Sequence, residues 1–385
     1  MDYGLTEEQK VLRGGVRKFA EKEIAPVAKE LDDTEEFSID LVRKMGEMGL
    51  FGMVVSEKYG GSGMDYLSFC IAIEELARVD GSQALTVAAG NTLGIGPINN
   101  YGNEKQKQEW LPRLCKGEIL AAFALTEPNA GSDAGASQTK AKLENGQWVI
   151  NGRKIFITNS TSKIAEVCMV QSVTGTRSDG TKELSCILVP KGTPGFERKK
   201  MTGKLMWRGS DTGELFFEDC KVPKDNLLGS QGKGFFQMLE TLNNGRLAIA
   251  AMGLGGAQGA YELSLKYAKD REQFGAPIST FQAIAFKLAD MATEIEAARS
   301  FLYNVCRLRD AGKPFTKEAA MAKLFATEVM GRVVNQAVQI FGGYGCMKEY
   351  DVERFYRDCK ILTIGEGTSE ILRLIISRRI GCDNV

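Results

Sequence analysis

The pattern of apolar residues changes twice along the chain, and this change constrains the fold more than any other feature. Apolar side chains recur at three- and four-residue steps in residues 5 to about 118 and again from 234 onward, which indicates helices. Residues 120 to about 225 carry short β-branched and aromatic runs, which indicate strands. The sequence therefore predicts an α+β multidomain protein, with domains at residues 1–118 (helical), 119–228 (β) and 229–385 (helical bundle).

Capping residues and breakers mark several helix boundaries. Residues 6–9 (Thr-Glu-Glu-Gln) have the spacing of a capping box, and Pro26 is expected to end or kink the helix that follows. A heptad-like seam from Phe281 to Val305 predicts one long helix of the bundle. Further helices are expected at residues 316–343 and 369–379.

Asparagine–glycine pairs mark the β region. Both Asn145-Gly146 and Asn151-Gly152 tolerate positive φ and are predicted to be tight turns. The predicted strands include residues 149–150, 155–157, 167–173, 184–189 and 215–217.

The absence of histidine from all 385 residues excludes several classes of chemistry. It removes Ser-His and Cys-His nucleophile pairs, His-ligated metals and the commonest general base. No CxxC spacing occurs among the nine cysteines, so no metal site is expected. Acid–base work therefore falls to Asp, Glu, Lys, Tyr or Cys. The 49 basic and 49 acidic residues balance, which disfavours nucleic acid or an anionic membrane as a partner.

The remaining composition predicts a cytoplasmic protein. The first residues show no basic and apolar leader pattern, and no run of about 18 apolar residues predicts a membrane span. The odd number of cysteines in a long chain favours reduced, mostly buried thiols.

Two glycine-rich segments have ordinary structural interpretations. Residues 253–259 resemble a dinucleotide fingerprint, but they follow a helical pattern and not a strand, so close helix packing is favoured. Residues 229–234 are expected to be a flexible connector. A Rossmann fold is disfavoured because alternating β and α units are absent.

Three other segments carry polar groups that could hold a ligand. Residues 125–133 form a loop rich in hydroxyls and amides, which can present donors to a ligand or be an ordinary capped turn. Glu366 lies between two glycines ahead of a helix, where it can be a carboxylate base or part of a solvent-exposed turn. Arg271 can grip a phosphate, or end a helix that Gly275 caps.

Six motifs together resemble the acyl-CoA dehydrogenase flavoprotein family over about residues 3–380. They are Lys58–Gly63, Leu125–Asp133, Lys154–Asn159, Asp270–Gly275, Gln339–Gly345 and Gly365–Glu370. The resemblance implies an N-terminal helical domain, a middle domain like a β-barrel or β-sandwich, and a C-terminal four-helix bundle.

The resemblance also implies FAD, bound between the β domain and the bundle of a homotetramer. Phe156 stands where many members carry Trp, and Glu370 stands where some carry Gln. The implied FAD contacts, some from the adjacent subunit, are Leu125, Thr126, Gly131, Ser132, Phe156, Ile157, Thr158, Arg271, Gln273, Phe274, Gln282, Gln339, Gly342, Gly343, Thr368 and Glu370.

An acyl-CoA thioester is the implied substrate. Gly365 stands where straight-chain relatives often have Tyr, and residues 86–94 are rich in small side chains, so a wide pocket for a short, branched or cyclic acyl group is expected. Asn91 can contact the substrate or satisfy backbone groups, and Asn243 stands where some members have Asp. The expected substrate contacts are Ser132, Thr86, Ala89, Gly90, Asn91, Asn243, Arg246, Gly365 and Gly367.

The implied reaction is α,β-dehydrogenation, with Glu366 removing the α-proton and flavin N5 accepting the β-hydride. Burial is expected to raise the pKa of Glu366. Some relatives take the base from the helix near Arg246, but the corresponding residue here is Gly245, which supports Glu366. An electron-transferring flavoprotein is the implied electron acceptor. Enoyl-CoA reduction, acyl-CoA oxidation, an acyl-carrier-protein substrate and a non-catalytic flavin- or acyl-CoA-binding module stay open as alternatives.

Overall fold

A series of helices forms the first part of the chain in the computed structural model, which describes residues 3–382. Thr6 caps the first helix with its side chain, and the Gln9 side chain bonds back to Thr6, which confirms the capping box. The helices are α1 Glu7–Phe19, α2 Ala25–Thr34, α3 Ile39–Glu47, α4 Tyr66–Ala77, α5 Gly81–Ala89, α6 Gly96–Tyr101 and α7 Glu104–Cys115.

Two π-helical turns interrupt these helices. One, Ala20–Ile24, separates α1 from α2, so Pro26 lies in the first turn of α2, where its missing N–H costs little. The chain is therefore interrupted just before Pro26 and not at it. The other, Gly90–Ile95, joins α5 to α6.

One eight-stranded sheet forms the middle of the chain and confirms the predicted β domain. Its order is β6-β7-β3-β2-β4-β5-β8, and β1 pairs in parallel with β4. The strands are β1 Leu120–Ala124, β2 Lys140–Glu144, β3 Gln147–Thr158, β4 Ala165–Thr176, β5 Lys182–Pro190, β6 Phe196–Lys200, β7 Thr212–Pro223 and β8 Leu227–Leu228.

The two Asn-Gly pairs behave differently. Asn145 and Gly146 both have positive φ and form the tight turn between β2 and β3, as predicted. The prediction for Asn151-Gly152 was wrong, because this pair lies inside β3 at an irregularity in its pairing with β7. A Cβ on Gly152 would lie 2.7 Å from the Thr139 Cα atom, so glycine is required here by a bulge and a close backbone approach.

Long helices form the rest of the chain. The seam helix α9 and the end of the last helix at Arg379 agree with the sequence prediction. The elements are α8 Gly234–Asp270, β9 Glu272–Gln273, β10 Ala276–Pro277, α9 Gln282–Asp310, α10 Thr316–Phe341, α11 Val352–Leu362 and α12 Ser369–Arg379.

The glycines of residues 253–259 bring α8 close to its neighbours. A Cβ on Gly255 would lie 2.9 Å from the Ala77 Cβ of α4, and one on Gly253 would lie 3.1 Å from the Ala326 carbonyl of α10. The prediction of close helix packing is therefore confirmed. All residues of α4 and residues 245–257 of α8 are buried.

Six of the nine cysteines are buried, and Cys346 and Cys382 are exposed, so the thiols are mostly buried as predicted. None of the helices within residues 3–382 combines the length and the hydropathy of a membrane span.

Candidate active site

The Gly365-Glu366-Gly367 turn joins α11 to α12. Glu366 has φ 52 and Gly367 has φ 101, so two successive residues adopt the left-handed region. A side chain bigger than glycine rarely takes this conformation, and such residues concentrate at functional sites. Thr368 then caps α12 by accepting a hydrogen bond from the Ile371 N–H at 3.2 Å.

The Glu366 carboxylate points at α8. Its Oε2 atom is buried and has no hydrogen-bond partner among residues 3–382. A Cβ on Gly245 would overlap that oxygen and lie 2.6 Å from the Glu366 Cδ atom. The missing side chain at position 245 is therefore what makes room for the carboxylate.

Burial raises the pKa of Glu366 to about 7, as predicted, although Lys323 and Arg246 oppose the rise. A carboxyl group with such a pKa is half ionised near neutral pH, where a general base is most effective. An unpartnered oxygen with this pKa can accept a proton from a ligand placed beside it.

Arg246 and Asn243 lie on α8 beneath the Glu366 turn. Arg246 is 4% exposed, and its Nη1 donates to the Asn243 Oδ1 at 2.7 Å. The Arg246 Nε atom is buried without a partner in the described chain. Asn243 in turn donates to the Thr316 Oγ1 at 3.2 Å. Arg246 is thus a buried cation beside the carboxylate.

A buried ion pair holds the loop at residues 125–133. The Lys154 Nζ, 0% exposed, donates to the Glu127 Oε1 at 2.8 Å and to the Leu125 carbonyl at 3.0 Å. Burial works to raise the pKa of Glu127, but Lys154 and the Ser137 and Thr139 donors lower it to about 2. The loop residues Leu125 and Thr126 are partly exposed, whereas Gly131 and Ser132 are exposed.

The end of β3 presents an exposed aromatic ring beside this loop. Phe156 has φ 61 and is 62% exposed, and the neighbouring Ile155 N–H donates to the Thr126 carbonyl at 2.9 Å. Ile157 is 3% exposed and belongs to the core of the sheet, so only its backbone can face a ligand. Thr158 is partly exposed.

A concave surface of about 490 Å³ lies at the C-terminal end of α10. Arg271, Gln273, Gly342 and Gly343 line it together. The Arg271 guanidinium lies over the Tyr344 ring, 5.5 Å from its centroid. Gln282 and Gln339 are exposed residues at the ends of α9 and α10.

Residues 271–277 form a small hairpin. Arg271 ends α8, but Gly275 does not cap that helix, because Phe274 and Gly275 have φ 54 and 78 and form the turn between β9 and β10. The proposed glycine cap was therefore wrong. The turn leaves Phe274 96% exposed.

The sequence-predicted residues thus fall into three groups. One is the 125–132 loop with Phe156–Thr158, the second is the surface at Arg271 and Gly342, and the third surrounds Glu366. The third group contains Gly365, Gly367, Thr368, Arg246 and Asn243, with exposed Glu370 at the start of α12. The second surface is lined by residues 267–278 and 340–347 and not by the 125–132 loop.

The helix expected to line the acyl pocket is packed more tightly than predicted. Asn91 accepts from the Met53 N–H at 3.1 Å and donates to the Leu50 and Val87 carbonyls, so it satisfies backbone groups. A Cβ on Gly90 would lie 2.7 Å from Phe51, and one on Gly94 would lie 2.8 Å from the Ala121 carbonyl. These glycines therefore make room for protein and not for a wide cavity.

Thr86 and Ala89 of the same helix are also buried. The Thr86 Oγ1 donates to the Ser82 carbonyl at 3.0 Å, and Ala89 is 4% exposed. A cavity of about 70 Å³ lies nearby between α4, α8 and the second π-helical turn. Tyr66, Thr92, Thr241 and Asn244 are among its lining residues.

Sequence reasoning missed several residues that hold the site together. Asn159 donates to the Thr86 carbonyl at 3.1 Å and so ties β3 to α5, and Lys323 donates to the Gly367 carbonyl at 2.8 Å. Lys154 and Glu127 fall inside recognised motifs, but spacing alone does not reveal that they pair.

The fold is a series of helices, then a β-sheet, then long helices, and the buried Glu366 Oε2 atom lies beside Gly245 of α8. Family models match residues 6–118, 122–220 and 232–381, described respectively as the N-terminal, middle and C-terminal domains of acyl-CoA dehydrogenase. The chain belongs to the acyl-CoA dehydrogenase family.

Three curated relatives are similar over nearly their full length. "Probable acyl-CoA dehydrogenase YngJ" of Bacillus subtilis is 51% identical, covering 99% of this chain and 100% of the relative. The short-chain specific acyl-CoA dehydrogenase of Clostridium acetobutylicum is 47% identical with the same coverage. The acryloyl-CoA reductase (NADH) of Anaerotignum propionicum is 46% identical, covering 99% and 96%.

Two solved structures are also similar. A chain of "Electron transferring flavoprotein of Acidaminococcus fermentans: Towards a mechanism of flavin-based electron bifurcation" has a TM-score of 0.95 and 45% identity, covering 99% of this chain and 100% of that one. Butyryl-CoA dehydrogenase from Megasphaera elsdenii has a TM-score of 0.94 and 42% identity with the same coverage.

Proposed function

We propose that this chain catalyses the FAD-dependent α,β-dehydrogenation of a short acyl-CoA thioester, with Glu366 as the base. The observation that carries the proposal is the Glu366 Oε2 atom, which is buried, unpartnered within residues 3–382 and close to neutral in pKa. A carboxylate without a donor is costly inside a protein, so a catalytic role explains its position better than stability does.

The residues present fit FAD. The exposed Phe156 ring, held in a positive-φ conformation beside Thr126, supports a flat face for the flavin, with Leu125, Gly131, Ser132, Ile157 and Thr158 around it. Gly342 and Gly343 leave open space where side chains would stand, and Arg271 offers a cation for a phosphate. We assign Gln273, Phe274, Gln282, Gln339, Thr368 and Glu370 to FAD contacts as well.

Bound FAD supplies the acceptor for the hydride that leaves the β-carbon. The α-proton goes to the Glu366 Oε2, and the electron pair of that C–H bond moves into the thioester as an enolate. The Glu366 backbone N–H is our proposed donor to the thioester oxygen, which stabilises the developing negative charge. Ser132, Asn243 and Arg246 are proposed to hold the CoA side of the substrate, and Gly365 and Gly367 to let it approach the carboxylate closely.

We propose a short linear acyl group, and not a branched or cyclic one, as the substrate's acyl part. Two of the similar proteins are a short-chain specific acyl-CoA dehydrogenase and a butyryl-CoA dehydrogenase. Phe51 and Ala121 occupy the space beside Gly90 and Gly94, which supports a short acyl group over a branched or cyclic one.

The separation of the cofactor residues supports an assembly of more than one chain. The surface at Arg271 is not lined by the 125–132 loop, so we propose that two chains contribute to each FAD in a homotetramer. An electron-transferring flavoprotein is our proposed electron acceptor, supported by the similarity to a chain from that assembly in Acidaminococcus fermentans. Boundaries at residues 118/119 and 228/229 are proposed for the three domains.

The second candidate function is the reverse reaction, reduction of an enoyl-CoA. The relative from Anaerotignum propionicum is an acryloyl-CoA reductase (NADH), and its identity to this chain differs little from that of the dehydrogenases. Comparing turnover of butyryl-CoA with an artificial acceptor and of acryloyl-CoA with NADH separates the two directions. Faster acryloyl-CoA reduction would favour the reductase.

The first test is the variant Glu366→Gln. It removes the ionisable oxygen but keeps the size of the side chain, so FAD binding and fold are expected to be unchanged. Bleaching of the flavin absorbance by butyryl-CoA is expected to slow by about 10²- to 10⁴-fold, because that is what general-base catalysis contributes. Near-normal bleaching by this variant would refute Glu366 as the base, and a wild-type protein that binds no flavin would refute the function.

A further inference from the structure

A fully buried lysine lies directly under the Glu366 turn. Lys323 of α10 is 0% exposed, and its Nζ donates to the Gly367 carbonyl at 2.8 Å. Burying an ammonium group is costly unless hydrogen bonds and opposite charge compensate. A single carbonyl is weak compensation, so the position of this lysine needs a further explanation.

That explanation lies in the charges around it. The group of opposite charge that acts most strongly on Lys323 is Glu366, ahead of Glu328 and Glu370, while Arg246 repels it. Burial lowers the pKa of Lys323 to about 8. Lys323 from α10 and Arg246 from α8 favour the ionised form of Glu366. Glu366 in turn helps to raise the pKa of the Tyr66 hydroxyl of α4, which donates to the Asn244 carbonyl.

We propose that Lys323 is a positioning residue for the dehydrogenation. Its hydrogen bond to the Gly367 carbonyl fixes the Glu366 turn, and its positive charge keeps the Glu366 carboxylate ionised. The inference rests on the proposed function. The hydrogen bond acts on the residue next to the base, whose backbone has φ 101 and must keep that conformation for the carboxylate to reach Gly245. The positive charge favours the ionised base over its protonated form.

Two variants remove the charge, and one of them keeps a hydrogen-bond donor. Lys323→Met has a similar length and apolar stem but removes both, whereas Lys323→Gln keeps an N–H donor without the charge. Thr327→Val is the matched control, because Thr327 is equally buried one turn further along α10 and bonds only to backbone carbonyls of that helix.

The readout is the pH dependence of kcat/KM for butyryl-CoA, measured on purified, flavin-loaded enzyme with an artificial acceptor. In the wild type, kcat/KM is expected to rise with pH through a midpoint near 7, where the Glu366 carboxyl ionises. Both Lys323 variants are expected to move this midpoint up by about one unit, which lowers kcat/KM at pH 7 by about fivefold and restores it toward pH 9.

Thr327→Val is expected to keep the wild-type midpoint. Wild-type midpoints in both Lys323 variants would overturn the inference, and so would a loss of rate that is equal at all pH values, because that is what a purely structural role predicts. If Lys323→Met does not fold, the Gln variant still decides. A wild-type enzyme that turns over no acyl-CoA would instead overturn the proposed function itself.

Discussion

Gly245 has no side chain, and this leaves the space that the Glu366 carboxylate occupies. Substitution by Ala would place a methyl group where the Glu366 Oε2 now lies, and the flexible end of that glutamate would have to move. Because Ala favours helix more than Gly by about 1 kcal/mol, we expect Gly245→Ala to fold normally. A carboxylate displaced by about 1 Å is expected to lose about 10²-fold in kcat for butyryl-CoA.

The control for this prediction is Gly331→Ala on α10. A Cβ at Gly331 would meet no atom within 4 Å in the described chain, so its activity should equal that of the wild type. Circular dichroism and flavin content check that both variants fold. Full activity in Gly245→Ala would show that the carboxylate does not need the space opposite that glycine.

At the scale of single residues, the sequence predicted Glu366 as the candidate base but not the residues that contact its turn. Glu366 stood out because glycines flank it and the chain has no histidine, and burial does raise its pKa. Lys323 gave no signal, since a lysine in a helical pattern is usually on the surface. Asn91 left two interpretations open, and only three-dimensional contacts showed that it serves the backbone.

The loop at residues 125–133 depends on one buried ion pair. Removing Lys154 leaves the Glu127 carboxylate without its cation, with only the Ser137, Gln138 and Thr139 donors, and such a loss typically costs about 3–5 kcal/mol. We expect Lys154→Met to lower the free energy of unfolding by that order and to weaken FAD binding. The double variant Lys154→Met with Glu127→Gln should recover part of the stability, because no isolated charge then remains.

Urea denaturation of the two single variants and the double variant measures this coupling. Additive losses would mean that the two side chains do not depend on each other. The surface pair of Lys191 with Glu166 is a suitable control, since an exposed pair contributes only about 0–1 kcal/mol. Its Lys191→Met variant should therefore change stability much less than Lys154→Met does.

Element boundaries could be predicted where local chemistry decides them. The last helix runs from Ser369 to Arg379 as expected, because the Thr368 cap is a local signal. The turn predicted at Asn151-Gly152 was wrong because the same dipeptide can form a turn or a bulge. Which of the two forms here depends on Thr139, in another part of the chain. The hairpin at Phe274-Gly275 was missed for a similar reason, because its two strands are only two residues long.

On the scale of the whole molecule, α11 links the sheet to the first helices. Asp358 of α11 accepts from the Trp207 N–H at 2.8 Å, and Trp207 comes from the segment between β6 and β7. The Trp207 indole also packs on Gly81, at the start of α5, so closely that a Cβ there would lie 2.8 Å from the ring Cδ1. One buried carboxyl group therefore lies where all three parts of the chain meet.

The protonation of this carboxyl group couples the junction to pH. Burial raises the pKa of Asp358 to about 7, and the nearby Asp80 and Asp32 add to the rise, while the Trp207 bond and Arg354 oppose it. In the unfolded chain the group titrates near 3.8. Between these values the native state holds a proton that the unfolded state has lost. The stability from this group is therefore complete below pH 4 and is lost as the pH rises through 7.

Asp358→Asn tests this coupling, because the amide oxygen can still accept from Trp207 but cannot ionise. The free energy of unfolding of the wild type relative to the variant is expected to fall by up to about 4 kcal/mol between pH 4 and pH 7.5, since each pKa unit is worth about 1.4 kcal/mol. Urea denaturation at several pH values measures it, and the Glu366 contribution cancels because both proteins carry that residue. The exposed Asp225→Asn should run parallel to the wild type. If Asp358→Asn also ran parallel, the junction would hold an aspartate that is ionised throughout, and the three parts would have to be joined mainly by their apolar contacts.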